Sequence, residues 1–154
     1  PPYSEISREI AINAPAEKVF TYIDNRTIAN SWNPWLQKDK DAKITFSGPE
    51  KGVGSSTAWE GGKELGTGRA TVIEVVPNQK LSVRLEYLKP FVMTQEASYL
   101  LREEGGHTIV TWKVGGHASF MGKLMCTFIN MEKMVGDVFM EGLTQLKNQV
   151  EKAS

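Results

Sequence analysis

The sequence predicts an α+β domain in which an antiparallel sheet is covered on one face by a long C-terminal helix. Two observations lead there. Between Ile44 and His117, apolar and polar residues alternate in short runs separated by Gly, Pro and Asn, the pattern of half-buried antiparallel strands. After His117 the period changes: Leu124, Phe128, Met131, Val135, Val138, Phe139, Leu143, Leu146 and Val150 follow at spacings of mostly three and four, on one side of a helix. A sheet with one apolar face needs a cover, and this helix is the only element large enough to supply it.

The elements follow in order. "SEISREIAIN" alternates Ile6, Ile10 and Ile12 with polar residues and reads as a first strand. In "APAEKVFTYIDN", Pro15 suits a first helical turn, and Val19, Phe20 and Ile23 give a short apolar stripe. A second short helix or turn covers "RTIANSW", and Pro34 restricts Asn33 and stops it. Strands are predicted in "AKITFSG", "GVGSSTAWEGG", "LGTGRATVIEVVP", "KLSVRLEYL", "VMTQEASYLLRE" and "HTIVTWKVGG", the last two joined by a hairpin at Gly105-Gly106. The final helix is expected over roughly residues 120 to 150. No linker, repeat or low-complexity segment divides the chain, so residues 1–154 are expected to form one domain.

Composition removes several function classes. The formal net charge is zero, against a nucleic-acid binder, which usually carries a basic stripe. No apolar run approaches the ~20 residues that span a bilayer, so stable membrane insertion is not expected. The opening "PPYSEISREI" has no basic segment followed by an apolar one, so no secretory signal is read in it. Cys126 is the only cysteine, which rules out an intramolecular disulfide and a thiolate cluster and points to the cytoplasm. No metal or cofactor motif is found: no HxxxH or CxxC, and "GPEKGVGSS" lacks the phosphate-loop ending and leads into a strand. His107 and His117, ten apart on one strand, would be over ~30 Å apart and cannot share a metal. No serine sits in a GxSxG elbow.

Five segments carry a family likeness. "INAPAEKVFTYIDN" resembles a first-strand exit into a short helix, and "WNPW" a second-helix corner. "GVGSSTAWEGG" with "GTGRATVIEVVPNQKL" resembles a strand pair, and "FINMEKMVGDVFMEGLTQLK" the body of a long helix. Together they resemble the START-like helix-grip superfamily, in its polyketide cyclase/dehydrase and lipid-transport (SRPBCC) group. The resemblance implies a curved sheet of six or seven strands gripping the C-terminal helix. It also implies a mostly apolar cavity between them, entered near the two short helices and the strand hairpins.

Within that frame the candidate ligand contacts are Trp32, Trp35, Trp59, Tyr87, Tyr99, Trp112, Phe128, Met131, Val135 and Phe139, each on an apolar face of a strand or helix or at the "SWNPW" corner. One of Trp32 and Trp35 is expected to be buried and the other to stand at the cavity mouth. Trp59 and Glu60 must point to opposite faces, and burying an unpaired carboxylate is costly, so Trp59 is expected inside. Lys38 to Asp41 read as a solvated turn. Glu132 projects into the apolar sector of the helix, where a carboxylate would be an acid or base with a raised pKa. Alternatively, a helix break at Asn130 would place it in a first turn, favoured by the helix dipole. His117 and Tyr99, with Tyr87, are the other candidates for proton transfer. Gly136 and Gly142 flank the same face, where a close strand backbone or a ligand would need the room.

Three functions remain open. One is a carrier or sensor enclosing a small hydrophobic or aromatic molecule, such as a lipid or polyketide-like metabolite. Another is a cyclase/dehydratase-type enzyme using acid–base groups in the cavity. The third is a ligand-free interaction module like the co-chaperone branch of the superfamily, against which the polar Ser82, Arg84 and Glu86 weigh mildly.

Overall fold

The computed structural model describes residues 3–62, 65–117 and 121–153, with side chains described except at 3–4, 116–117 and 121–131. Strand β1 (Tyr3–Ile12) is followed by three short helices, α1 (Ala16–Asp24), α2 (Arg26–Trp32) and α3 (Pro34–Gln37). Strands β2 (Lys43–Ser47), β3 (Ser56–Glu60), β4 (Thr67–Val76), β5 (Lys80–Lys89), β6 (Met93–Glu104) and β7 (His107–His117) come next, then α4 (Met121–Lys152). The seven strands form one sheet in the order β1-β7-β6-β5-β4-β3-β2, and every neighbouring pair is antiparallel. This is the helix-grip arrangement expected from the switch in period.

The helical corner is built by asparagine. The Asn25 side chain accepts from the Ile28 N–H at 3.0 Å and so starts α2. Asn33 then has two duties. Its backbone N–H closes α2 on Ala29 O, and its side chain accepts from the N–H groups of Trp35 and Leu36 to open α3. Pro34 occupies the first position of α3, where a missing N–H costs nothing. The Asn-Pro pair of "SWNPW" is therefore the joint between two helices.

Strand register decides what faces the helix. Val83, Leu85 and Tyr87 on β5 lie beside Ala97, Gln95 and Met93 on β6. Ala97 and Tyr99 in turn lie beside Val114 and Trp112 on β7, and Trp112 beside Arg8 on β1. Side chains alternate along a strand, so all of these share the concave face. The end of that face nearer the β4–β5 and β6–β7 turns is sealed. Leu81, Val110, Trp112 and Tyr99 are buried there against Phe139, Leu143, Leu146 and Val150 of α4.

Helix α4 runs unbroken through Asn130, so the alternative of a new helix starting there does not hold. The room at its glycines is used by side chains, not by strand backbone or vacant space. A Cβ on Gly136 would land on the Arg8 guanidinium, and one on Gly142 would stand 2.6 Å from Pro34 Cδ and 2.9 Å from Trp112 Cζ3. The Lys38–Asp41 turn is tied down more than a free solvated turn: Asp39 accepts from the N–H groups of Asp41 and Gly62, joining it to the β3–β4 turn.

Candidate functional site

The aromatic residues divide into two groups. Trp32, Tyr99, Trp112 and Phe139 are each no more than 6% exposed and pack on one another. Phe139 stacks on Trp112 with ring centroids 4.1 Å apart and planes at 6°. Trp32 presents its edge to both Tyr99 and Trp112 at 5.8 Å, and its indole N–H donates to Tyr22 O at 2.9 Å. Such rings gain about 0.5–1.5 kcal/mol per pair beyond the area they bury. This cluster is core, and it locks α2 and α4 to the middle of the sheet. Trp35 lies half-buried on α3 at its border.

The second group lies towards the opposite end of the concave face. Trp59 points inward, as the Trp59–Glu60 alternation requires, with Glu60 exposed. Its ring lies across β4, where a Cβ on Gly68 would come within 2.6 Å of Trp59 Cζ2, so only glycine fits there. Tyr87 meets it edge-on with centroids 6.2 Å apart. The Trp59 indole N–H is buried and has no hydrogen-bond partner among the described residues. A buried, unpaired donor of this kind costs ~1–3 kcal/mol. Around it, Leu85, Tyr87 and Gln95 are only half-buried and Met93 is exposed, so this half of the face is open where the Tyr99 half is sealed. The end of β5 and the β5–β6 turn beside it expose Leu88, Phe91 and Val92. Burial raises the Tyr87 phenol to a pKa of about 12, and burial raises that of Tyr99 further still.

Glu132 is half-buried and paired with Arg8, whose guanidinium reaches its carboxylate at 2.6 Å. The hydrogen bond from Arg8 is the main reason that its pKa is lowered, the reverse of the rise expected for a carboxylate in an apolar sector. Strict alternation after Ile6 puts Arg8 on the inward face of β1, where the packing of α4 on that strand brings it to Glu132. Val135 is half-buried against the core, His107 is exposed at its hairpin, and His117 ends β7 opposite Tyr3. The side chains of His117, Phe128, Met131 and Cys126 lie outside the described residues. Among the described residues no cluster of His, Cys, Asp and Glu could hold a metal, and no helix is long and apolar enough to cross a membrane.

Sequence reasoning passed over Arg26. It is the first residue of α2 and only 8% exposed. Burial lowers its pKa, against opposing effects of Tyr99 and Asp24. Its spacing to Ala29 and Trp32, three and six residues on, carried the signal: all three are buried on α2.

A sequence model of the family described as "Polyketide cyclase / dehydrase and lipid transport" matches residues 4–151. No curated protein sequence matches the chain. Among solved structures, the protein MLL2253 from Mesorhizobium loti superposes with a TM-score of 0.68 at 15% identity, covering 98% of this chain and 99% of that one. The Aha1 dimer from Colwellia psychrerythraea gives a TM-score of 0.61 at 19% identity over 96% of each chain. Ara h 8.0201 gives 0.64 at 11% identity over 97% of this chain and 99% of its own. At these identities the likeness is one of fold.

Proposed function

The chain belongs to the polyketide cyclase/dehydrase and lipid transport family, and we propose that it binds a small hydrophobic or aromatic molecule against the open half of the concave sheet, as a carrier or sensor. The observation that carries this reading is Trp59: a buried indole N–H without a partner among the described residues, set in a wall of Leu85, Tyr87 and Met93 that is only partly covered. A ligand there would gain from apolar burial at ~25 cal/mol per Å² and would satisfy the orphaned donor with one acceptor. The proposed wall is thus Trp59 and Tyr87 with Leu85, Met93, Gln95 and Val135, whereas Trp32, Tyr99, Trp112 and Phe139 serve as its packed backing. Carriage is favoured over turnover because the one carboxylate on the inner helix face, Glu132, is neutralised by Arg8 and lacks a raised pKa. A cytoplasmic setting accords with the single cysteine.

The test is titration with the uncharged fluorescent probe N-phenyl-1-naphthylamine. We expect saturable binding at about one probe per chain. Val135→Trp should abolish that binding while the far-ultraviolet spectrum and cooperative unfolding remain. Absence of saturable binding to the native protein, or unchanged binding by the folded variant, would refute this placement.

A further inference from the structure

Four exposed apolar side chains fall within six consecutive positions. Leu88, Phe91, Val92 and Met93 are 58%, 76%, 84% and 41% exposed, and Phe91 and Val92 exceed every other large apolar side chain among the described residues. They belong to the end of β5, the β5–β6 turn and the first residue of β6. A turn that only reverses the chain is usually built from Gly, Asn, Asp or Ser, which bend readily and suit water. The stretch from Leu88 to Met93 reads LKPFVM and has none of these. Its one charged residue, Lys89, is exposed. The turn is seated on its neighbours: a Cβ on Gly66 would collide with Lys89 O, so the β3–β4 turn packs directly against it. The Gly62 N–H donates to Asp39 at 2.8 Å, which ties the α3–β2 loop to the same rim. Strand register adds a second cation there. Lys43 lies opposite Glu60, Glu60 opposite Thr67, and Thr67 opposite Lys89. This row across four strands has an exposed lysine at each end, about 14 Å apart at the usual strand spacing, and Glu60 is its only acid.

We propose that the β5–β6 turn docks the protein on the surface of a lipid bilayer that carries anionic lipid. Leu88, Phe91 and Val92 enter the boundary between head groups and acyl chains, and Lys89 and Lys43 lie at the level of the lipid phosphates. This is peripheral association through a loop tip, which needs no spanning helix. Size favours a bilayer over a protein partner. Four partly exposed side chains on one turn offer far less than the ~800 Å² per partner of a stable protein interface, whereas a bilayer requires no matching shape. Charge agrees, since the only charge within the apolar stretch is positive and anionic lipid attracts it. The docking does not depend on the ligand site inferred from Trp59, because a turn of this composition would bind a bilayer whether or not the concave face held a ligand.

The experiment is co-sedimentation of the full chain with vesicles of phosphatidylcholine alone and of phosphatidylcholine mixed with phosphatidylglycerol. The native protein should bind the mixed vesicles more tightly, and added salt should reduce that advantage. Phe91→Ser and Val92→Ser should each weaken binding about tenfold, the worth of one apolar side chain withdrawn from water. Lys89→Gln should lose about fivefold on the mixed vesicles and nothing on phosphatidylcholine alone. Val53→Ser is the control: Val53 is 61% exposed in the β2–β3 turn, at the other end of β3, and its loss should change nothing. In the native protein, a lipid carrying a nitroxide on its head group should broaden the amide signals of Phe91 and Val92 and spare that of Val53. Lack of binding to either vesicle overturns the proposal, as does binding that Phe91→Ser and Val92→Ser leave unchanged or that Val53→Ser weakens equally. Signals of Phe91 and Val92 that move on adding N-phenyl-1-naphthylamine, in a protein that binds no vesicle, also overturn it and make the turn a cover for the ligand site. Failure of that probe to bind, with vesicle binding intact, overturns the ligand site and leaves the docking turn standing.

Discussion

Two glycines on α4 make opposite predictions from the same substitution. Gly142→Ala and Gly136→Ala each gain ~1 kcal/mol of helix propensity. At Gly142 the new methyl group would lie 2.6 Å and 3.0 Å from the Pro34 ring and 2.9 Å from Trp112 Cζ3. Neither neighbour can yield cheaply. Pro34 is fixed as the first residue of α3, and Trp112 is held between the stacked Phe139 and the edge of Trp32. Overpacking a rigid site costs ~1–3 kcal/mol, and the upper part of that range applies here. The net loss is about 1–2 kcal/mol, or about 2–8 °C in Tm for a chain of this size. At Gly136 the methyl group meets only the end of the flexible Arg8 side chain. Arg8 can swing outward, giving up a pair with Glu132 that solvent already reaches, and the propensity gain remains. Gly136→Ala should therefore melt no lower than the parent. Thermal unfolding followed by circular dichroism checks both. If Gly136→Ala falls as far as Gly142→Ala, or if Gly142→Ala melts with the parent, the packing described for this helix is wrong.

Other outcomes follow from single contacts. Trp32→Phe should cost about 2–3 kcal/mol, because it strands Tyr22 O and leaves space among three packed rings, whereas Trp35→Phe, at the half-buried border of that cluster, should cost less than about 1 kcal/mol and leave probe affinity unchanged. Burial raises the folded pKa of Tyr87 to about 12, above its unfolded value near 10. Its contribution is therefore complete below pH ~10 and is lost as the pH climbs towards 12. Denaturant unfolding of Tyr87→Phe should show a shallower alkaline decline than the parent, and an identical slope would contradict the burial of that phenol.

Much of the fold was legible because burial imposes periodicity. The alternation in "KLSVRLEYL" identified the inward residues of β5, and the spacing from Val135 to Val150 identified the buried face of α4. Trp59 could be assigned inward because the opposite choice would have buried Glu60. The site was harder to read, since periodicity tells which face a side chain occupies but not how closely the opposite layer approaches. Tyr99 and Tyr87 lie on the same face of the sheet, yet one is sealed by Trp32 and Trp112 and the other stands half-open. Glu132 was misjudged for a related reason. Its environment is set by Arg8, 124 residues away, and that partner follows only once β1 is known to lie beside α4. Arg26 went unnoticed because a charged residue at the start of a short helix ordinarily faces solvent.

The most direct measurement is a two-dimensional ¹H–¹⁵N spectrum of the indole N–H groups during titration with N-phenyl-1-naphthylamine. The account predicts that the Trp59 signal moves and saturates at about one probe per chain, as its unpaired donor and its ring meet the ligand. The Trp32 signal, already bonded to Tyr22 O within the packed cluster, should hold its position. A Trp59 signal that stays fixed at saturating probe, or one that shifts no more than that of Trp32, would contradict a ligand site on the open half of the sheet.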